Sequence, residues 1–83
     1  LVNRIAPAGQ LREVGLEVAR AIAANGPVAV RAAKRAIDVG CDKPMAEGLE
    51  VEARCYELVL PTKDRLEALA AFAEKRAPRY VGG

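Results

Sequence analysis

Proline and glycine break this sequence at near-regular intervals, and that punctuation limits what it can fold into. Pro7-Ala8-Gly9, Asn25-Gly26-Pro27, Gly40 through Pro44, Pro61 and Pro78 leave four uninterrupted segments, each of about three to five helical turns. Apolar residues recur at helical spacing in all four. Leu11, Val14, Val18, Ala21 and Ile22 mark the first segment. Val30, Ala33 and Ile37 mark the second, with Arg31, Lys34 and Arg35 facing outward. Met45, Leu49, Ala53, Tyr56 and Leu60 mark the third, which Pro61 ends. Leu66, Leu69, Ala70 and Phe72 or Ala73 form the stripe of the fourth. The expected fold class is all-α, with about four helices.

End signals support these bounds. Pro27 can open the second helix because its missing N–H would go unpaired there, and Gly26 before it suits a left-handed cap on the first. The Thr62 hydroxyl is placed to accept the backbone N–H of Asp64 or Arg65, while Asp64 lies in the positive first turn. Lys75 and Arg76 occupy the last turn before Pro78, and Pro78 to Gly83 reads as an extended tail. Leu1 to Ile5, apolar without helical spacing, resembles the end of a strand too short to form a sheet alone.

Four short helices in 83 residues make a poor independent core even though 52% of the residues are hydrophobic. At this length the apolar area buried and the entropy lost on ordering nearly cancel, so the helices call for a partner surface. The first residue, Leu1, falls in mid-pattern, and the chain reads as the tail of something longer.

Absences narrow the chemistry. With no histidine there is no Ser-His-Asp or Cys-His catalysis, no imidazole metal ligand and no switch near neutral pH. Cys41 and Cys55 lack the further thiols that a zinc site requires, and read as two buried reduced thiols of a cytoplasmic or mitochondrial-matrix protein. No metal site is expected. No apolar run approaches the ~20 residues of a membrane span. Aromatic residues make up 4% and the net charge is +2, a weak basis for nucleic-acid binding.

Glu47, Glu50, Glu52 and Glu57 on the third segment have the residue type for general acid–base work, but no nucleophile or oxyanion-binding glycine loop accompanies them. Glu50 with Arg54, and Lys34 with Asp38, stand at i,i+4 and read as solvated helix faces. Tyr56 reads as a packed aromatic. Lys75, Arg76 and Arg79 form a cation cluster that complements the helix dipole and can also meet a phosphate.

Longer strings carry more information than these residues singly. Pro61-Thr62-Lys63-Asp64-Arg65-Leu66-Glu67 followed by Ala71-Phe72-Ala73-Glu74-Lys75-Arg76-Ala77-Pro78-Arg79-Tyr80 resembles the C-terminal signature of the enoyl-CoA hydratase (crotonase) superfamily. Gly26-Pro27-Val28-Ala29-Val30-Arg31-Ala32-Ala33-Lys34 is similar to a helix start some forty residues earlier in those enzymes, and Leu1-Val2-Asn3 to the loop leaving their core. The Cys55-Tyr56 pair and the Pro61 to Glu67 string are most similar to methylglutaconyl-CoA hydratase-like members. Where many relatives read Glu-Gly, this chain has Glu67-Ala68.

The resemblance implies a ββα spiral core, absent from this chain, followed by C-terminal helices that mediate trimerisation, with trimers often paired as hexamers. On that basis residues 1–9 are the exit from the missing core, and 10–83 the helical oligomerisation and CoA-contacting region. It implies a lyase acting on 2-enoyl-CoA thioesters, in fatty-acid or leucine degradation. Two glutamates direct water in that chemistry and two backbone N–H groups hold the thioester oxygen. These belong upstream of Leu1, so no catalytic residue is expected here and the segment alone is expected to be inactive. CoA arrives on the substrate, with no separate cofactor.

Residue by residue, the resemblance carries over two binding positions. The lysine of the family's Phe-x-Glu-Lys-Arg motif matches Lys75 and implies contact with the 3′-phosphate end of CoA. Tyr56 matches an aromatic position near the adenine. The competing expectations are a free-standing helical interaction module and an AU-rich RNA-binding segment using Arg31, Lys34 and Arg35.

Overall fold

The computed structural model describes residues 1–83 and contains four helices and no strand: α1 (Leu11–Ala23), α2 (Pro27–Gly40), α3 (Met45–Glu57) and α4 (Lys63–Ala73). The all-α expectation therefore holds, with α2, α3 and α4 starting within a residue of their signals and α1 two residues after Gly9. Leu1 to Ile5 is not a strand. A strand needs a neighbour for its backbone groups, and here the segment is tied only through Arg4, whose guanidinium lies 3.6 Å from the Glu17 carboxylate.

Two end signals are built differently from expectation. Gly26 has φ −59° and ψ 124°, so it is the extended N-cap of α2 rather than a left-handed cap of α1. The C-terminus of α1 is closed instead by Asn25, whose Nδ2 donates to the carbonyls of Ala21 at 3.0 Å and Ile22 at 3.3 Å. The third helix stops at Glu57, and its continuation to Thr62 tightens into i to i−3 bonds, Val59 N–H to Tyr56 O at 2.9 Å and Thr62 N–H to Val59 O at 3.1 Å.

Packing is dominated by the α2–α3 hairpin. Ala29, Ala32, Ala36 and Gly40 on α2 face Gly48, Cys55 and Val59 on the other arm, so small side chains let the two axes approach. A Cβ added at Gly48 would stand 3.1 Å from the Gly40 carbonyl oxygen. Within this seam Ala32 and Cys55 are buried, whereas Cys41, read from sequence as buried, is exposed just beyond the end of α2. Both thiols are free.

Little else is enclosed. The accessible surface is 7003 Å², nearly half as much again as the ~4,800 Å² of a compact monomer of this mass. The radius of gyration is 15.8 Å, against about 12 Å for a compact domain of this length. The molecule is a plate of 43 × 39 × 19 Å. The stripes read from sequence as core, including Leu11, Ile22, Ile37, Met45, Leu49, Leu66, Leu69 and Phe72, are exposed. Their period is helical, as expected, but the faces they form are left open by this chain's own contacts.

Candidate functional site

The densest polar structure lies on α4 and the tail that follows it. Thr62 caps the helix as expected, its Oγ1 accepting the Arg65 N–H at 3.2 Å. Asp64 does more than complement the first turn. It is only 4% exposed, and its carboxylate accepts the N–H groups of Val81 at 2.7 Å and Gly82 at 2.9 Å. Its own N–H donates to the Gly83 carbonyl at 3.0 Å. One turn on, Glu67 accepts the Arg79 N–H at 2.9 Å and both terminal nitrogens of Arg76, from Nη2 at 3.3 Å. The tail thus returns antiparallel along the face of α4 that carries Asp64, Glu67 and Ala71. Tyr80 and the Asp64 methylene then lie within van der Waals reach of a side chain at Gly26, at the start of α2.

The reversal that starts this return is made at Lys75. After α4 the N–H of Lys75 donates to Phe72 O at 3.3 Å, and the N–H of Arg76 donates to Ala71 O at 3.0 Å. This paired 5→2 and 6→1 pattern is a Schellman ending, and its central residue must be left-handed. Lys75 has φ +54°, the one positive-φ residue that is not glycine. Glycine fits that conformation without strain, whereas an L-residue there costs about 1–2 kcal/mol. The sequence marks Lys75 as a candidate binding residue but does not mark its backbone conformation, because no glycine stands there.

Electrostatics divide the cation cluster. Hydrogen bonds from the Arg76 side chain and then the Arg79 backbone hold Glu67 down to about 2, from an ordinary 4.5. Arg76 is in turn pushed above its ordinary value, first by Glu67 and then by Glu74, whose Oε2 accepts Arg76 Nε at 2.6 Å. Arg76 is therefore fully engaged inside the chain. Lys75 is exposed and makes no ion pair. Tyr56 lies elsewhere, 58% exposed on the shoulder of the α2–α3 seam, beside a cavity of about 220 Å³ whose walls include Ala29, Ala36 and Val59. That cavity does not include Lys75, so this chain does not join the two candidate positions into one pocket.

The remaining candidates behave as surface. Lys34 Nζ pairs with Asp38 at 2.7 Å, whereas Glu50 and Arg54 form no ion pair. Glu47, Glu50, Glu52 and Glu57 are all exposed. No cluster of three metal-ligating side chains occurs, and no helix is long and apolar enough to cross a membrane.

Comparison with known proteins decides the family. The sequence matches the family model described as enoyl-CoA hydratase/isomerase over residues 1–83. This chain belongs to the enoyl-CoA hydratase/isomerase family. Among its relatives, "Probable enoyl-CoA hydratase 2, mitochondrial" of Arabidopsis thaliana is 54% identical over 82 residues, which are 99% of this chain and 27% of that protein. The human mitochondrial methylglutaconyl-CoA hydratase is 52% identical over 67 residues, 81% of this chain and 20% of that enzyme. In three dimensions, the crystal structure of an enoyl-CoA hydratase from Bacillus anthracis superposes with a TM-score of 0.91 at 50% identity, covering 94% of this chain and 30% of that one. The four helices are thus the crotonase-fold segment that the sequence strings resemble. The chain spans less than a third of the length of these relatives.

Proposed function

We propose that this chain is the C-terminal helical region of an enoyl-CoA hydratase-type lyase, one that adds water syn across the double bond of 2-enoyl-CoA thioesters in fatty-acid or branched-chain amino-acid degradation. Residues 1–9 leave the catalytic core, and 10–83 supply subunit contacts of a trimer or hexamer and part of the CoA pocket. The catalytic groups lie in the core, CoA arrives with the substrate, and the segment alone hydrates nothing. In a eukaryote the setting is the mitochondrial matrix, in keeping with the mitochondrial relatives.

Lys75 carries this reading. A lysine kept in a left-handed turn that favours glycine is explained by what its ammonium does rather than by backbone comfort. Its charge is unpaired inside the chain, which suits contact with the 3′-phosphate of CoA, and the exposed ring of Tyr56 offers a face to the adenine. The open apolar faces support the oligomeric role, because a plate with this much excess surface gains its stability by docking.

The test is Lys75→Ala in the enzyme that contains this segment. A charge-assisted contact of about 1–2 kcal/mol predicts a 5- to 30-fold rise in KM for crotonyl-CoA, with a smaller change for crotonyl-pantetheine, which ends before the phosphates. Equal effects on both thioesters would remove Lys75 from the phosphate role.

A further inference from the structure

We infer that Glu67 is a positioning residue for Lys75: it holds the segment that leaves the left-handed turn, and so fixes where the ammonium stands. The inference rests on the CoA-binding reading of Lys75.

A lysine ammonium ends a flexible four-carbon stem, so its location depends on how firmly its own backbone is set. On the entering side Lys75 is held by α4. On the leaving side three interactions converge on one carboxylate. Arg76 reaches both Glu67 oxygens through Nη1 and Nη2, and Arg79 adds its backbone N–H at 2.9 Å. Glu67 thus holds the chain one residue and four residues after Lys75. The Glu67 side chain is 25% exposed and that of Arg76 38%, so the pair is partly shielded from water. Without it, the left-handed turn would be retained by the 3.3 Å and 3.0 Å backbone bonds of Lys75 and Arg76 and by the exposed Glu74–Arg76 pair, against the strain of a non-glycine residue. Glu67 also keeps Arg76 occupied. Without Glu67, that guanidinium keeps only Glu74, which holds it through Nε at 2.6 Å and leaves its terminal nitrogens without a carboxylate beside Lys75. Asp64 holds the far end of the tail at Val81 and Gly82, so loss of Glu67 frees the near end while the tail stays attached.

The experiment is a double-mutant cycle in the enzyme that contains this segment, comparing Glu67→Gln, Lys75→Ala and the pair. KM and kcat are measured for crotonyl-CoA and for crotonyl-3′-dephospho-CoA, which lacks only the 3′-phosphate. Glu67→Gln is expected to raise KM for crotonyl-CoA three- to tenfold, to move KM more than kcat, and to leave the dephospho substrate within twofold of the parent. In the Lys75→Ala background it should add less than twofold. Arg76→Leu breaks the same contact from the other side, and should show the same dependence on Lys75 if Glu67→Gln fails to fold. Additive effects, or equal losses on both substrates, would overturn the positioning role while leaving the Lys75 contact intact. An inert Lys75→Ala would instead overturn the contact itself, and the inference with it.

Discussion

Replacing Lys75 by glycine separates what its backbone needs from what its side chain does. The residue sits at φ +54°, where an L-residue carries about 1–2 kcal/mol of strain that glycine avoids. Glycine loses more freedom on folding, about 0.5–1 kcal/mol relative to alanine. The difference favours Lys75→Gly over Lys75→Ala by about 0.5–1 kcal/mol in the free energy of opening the turn. Exchange of the Arg76 amide, which bonds to Ala71 O, reads that opening directly. Protection should be about two- to fivefold greater in the glycine variant than in the alanine variant, at 1.4 kcal/mol per tenfold. Both variants lack the ammonium, so both should show the same raised KM for crotonyl-CoA. The enzyme would then be locally firmer and a poorer binder. Weaker protection in the glycine variant would refute the assignment of strain to Lys75. A KM restored to the parental value by glycine but not by alanine would show that the turn, not the charge, governs affinity.

Two further outcomes follow from the geometry. Gly48→Ala places a methyl 3.1 Å from the Gly40 carbonyl and should destabilise the hairpin by about 1–3 kcal/mol, whereas Gly40→Ala, 3.5 Å from the nearest atom, should be tolerated; denaturant midpoints of the two variants check the asymmetry. Glu67, lowered to about 2 from 4.5, binds its proton less readily when folded, so its stabilisation is fully present above pH 4.5 and is lost as the pH falls toward 2. The protection factor of the Arg79 amide, taken relative to its intrinsic exchange rate at each pH, should fall across that window in the parent and stay level in Glu67→Gln.

Much of the architecture was legible because it is written in local chemistry. Pro27, Pro44 and Thr62 mark helix starts through the N–H groups they lack or satisfy, and the Lys34–Asp38 pair follows from one turn of helix. The strings around Pro61 and Lys75 carry the family signature, in agreement with the family match over residues 1–83. What escaped the sequence depends on relations between distant residues. Asp64 looks like any first-turn acid until the tail returns to it 17 residues later. The turn at Lys75 carries no glycine to announce it. Periodicity located the stripes at Met45, Leu49 and Tyr56, yet the α2–α3 seam uses the neighbouring face of Gly48, Cys55 and Val59. A helix with apolar residues on two sides does not declare which one meets its own chain.

A body 19 Å thick is scarcely two helices deep, and so has no middle. Leu11, Ile37 and Phe72, the last 87% exposed, touch too little of their own chain for its folding to dictate their identity. A mutational scan of the excised segment would score such positions as permissive. Under the proposed subunit contacts, the same scan in the oligomer ranks them among the least forgiving; equal tolerance in both scans would count against that role.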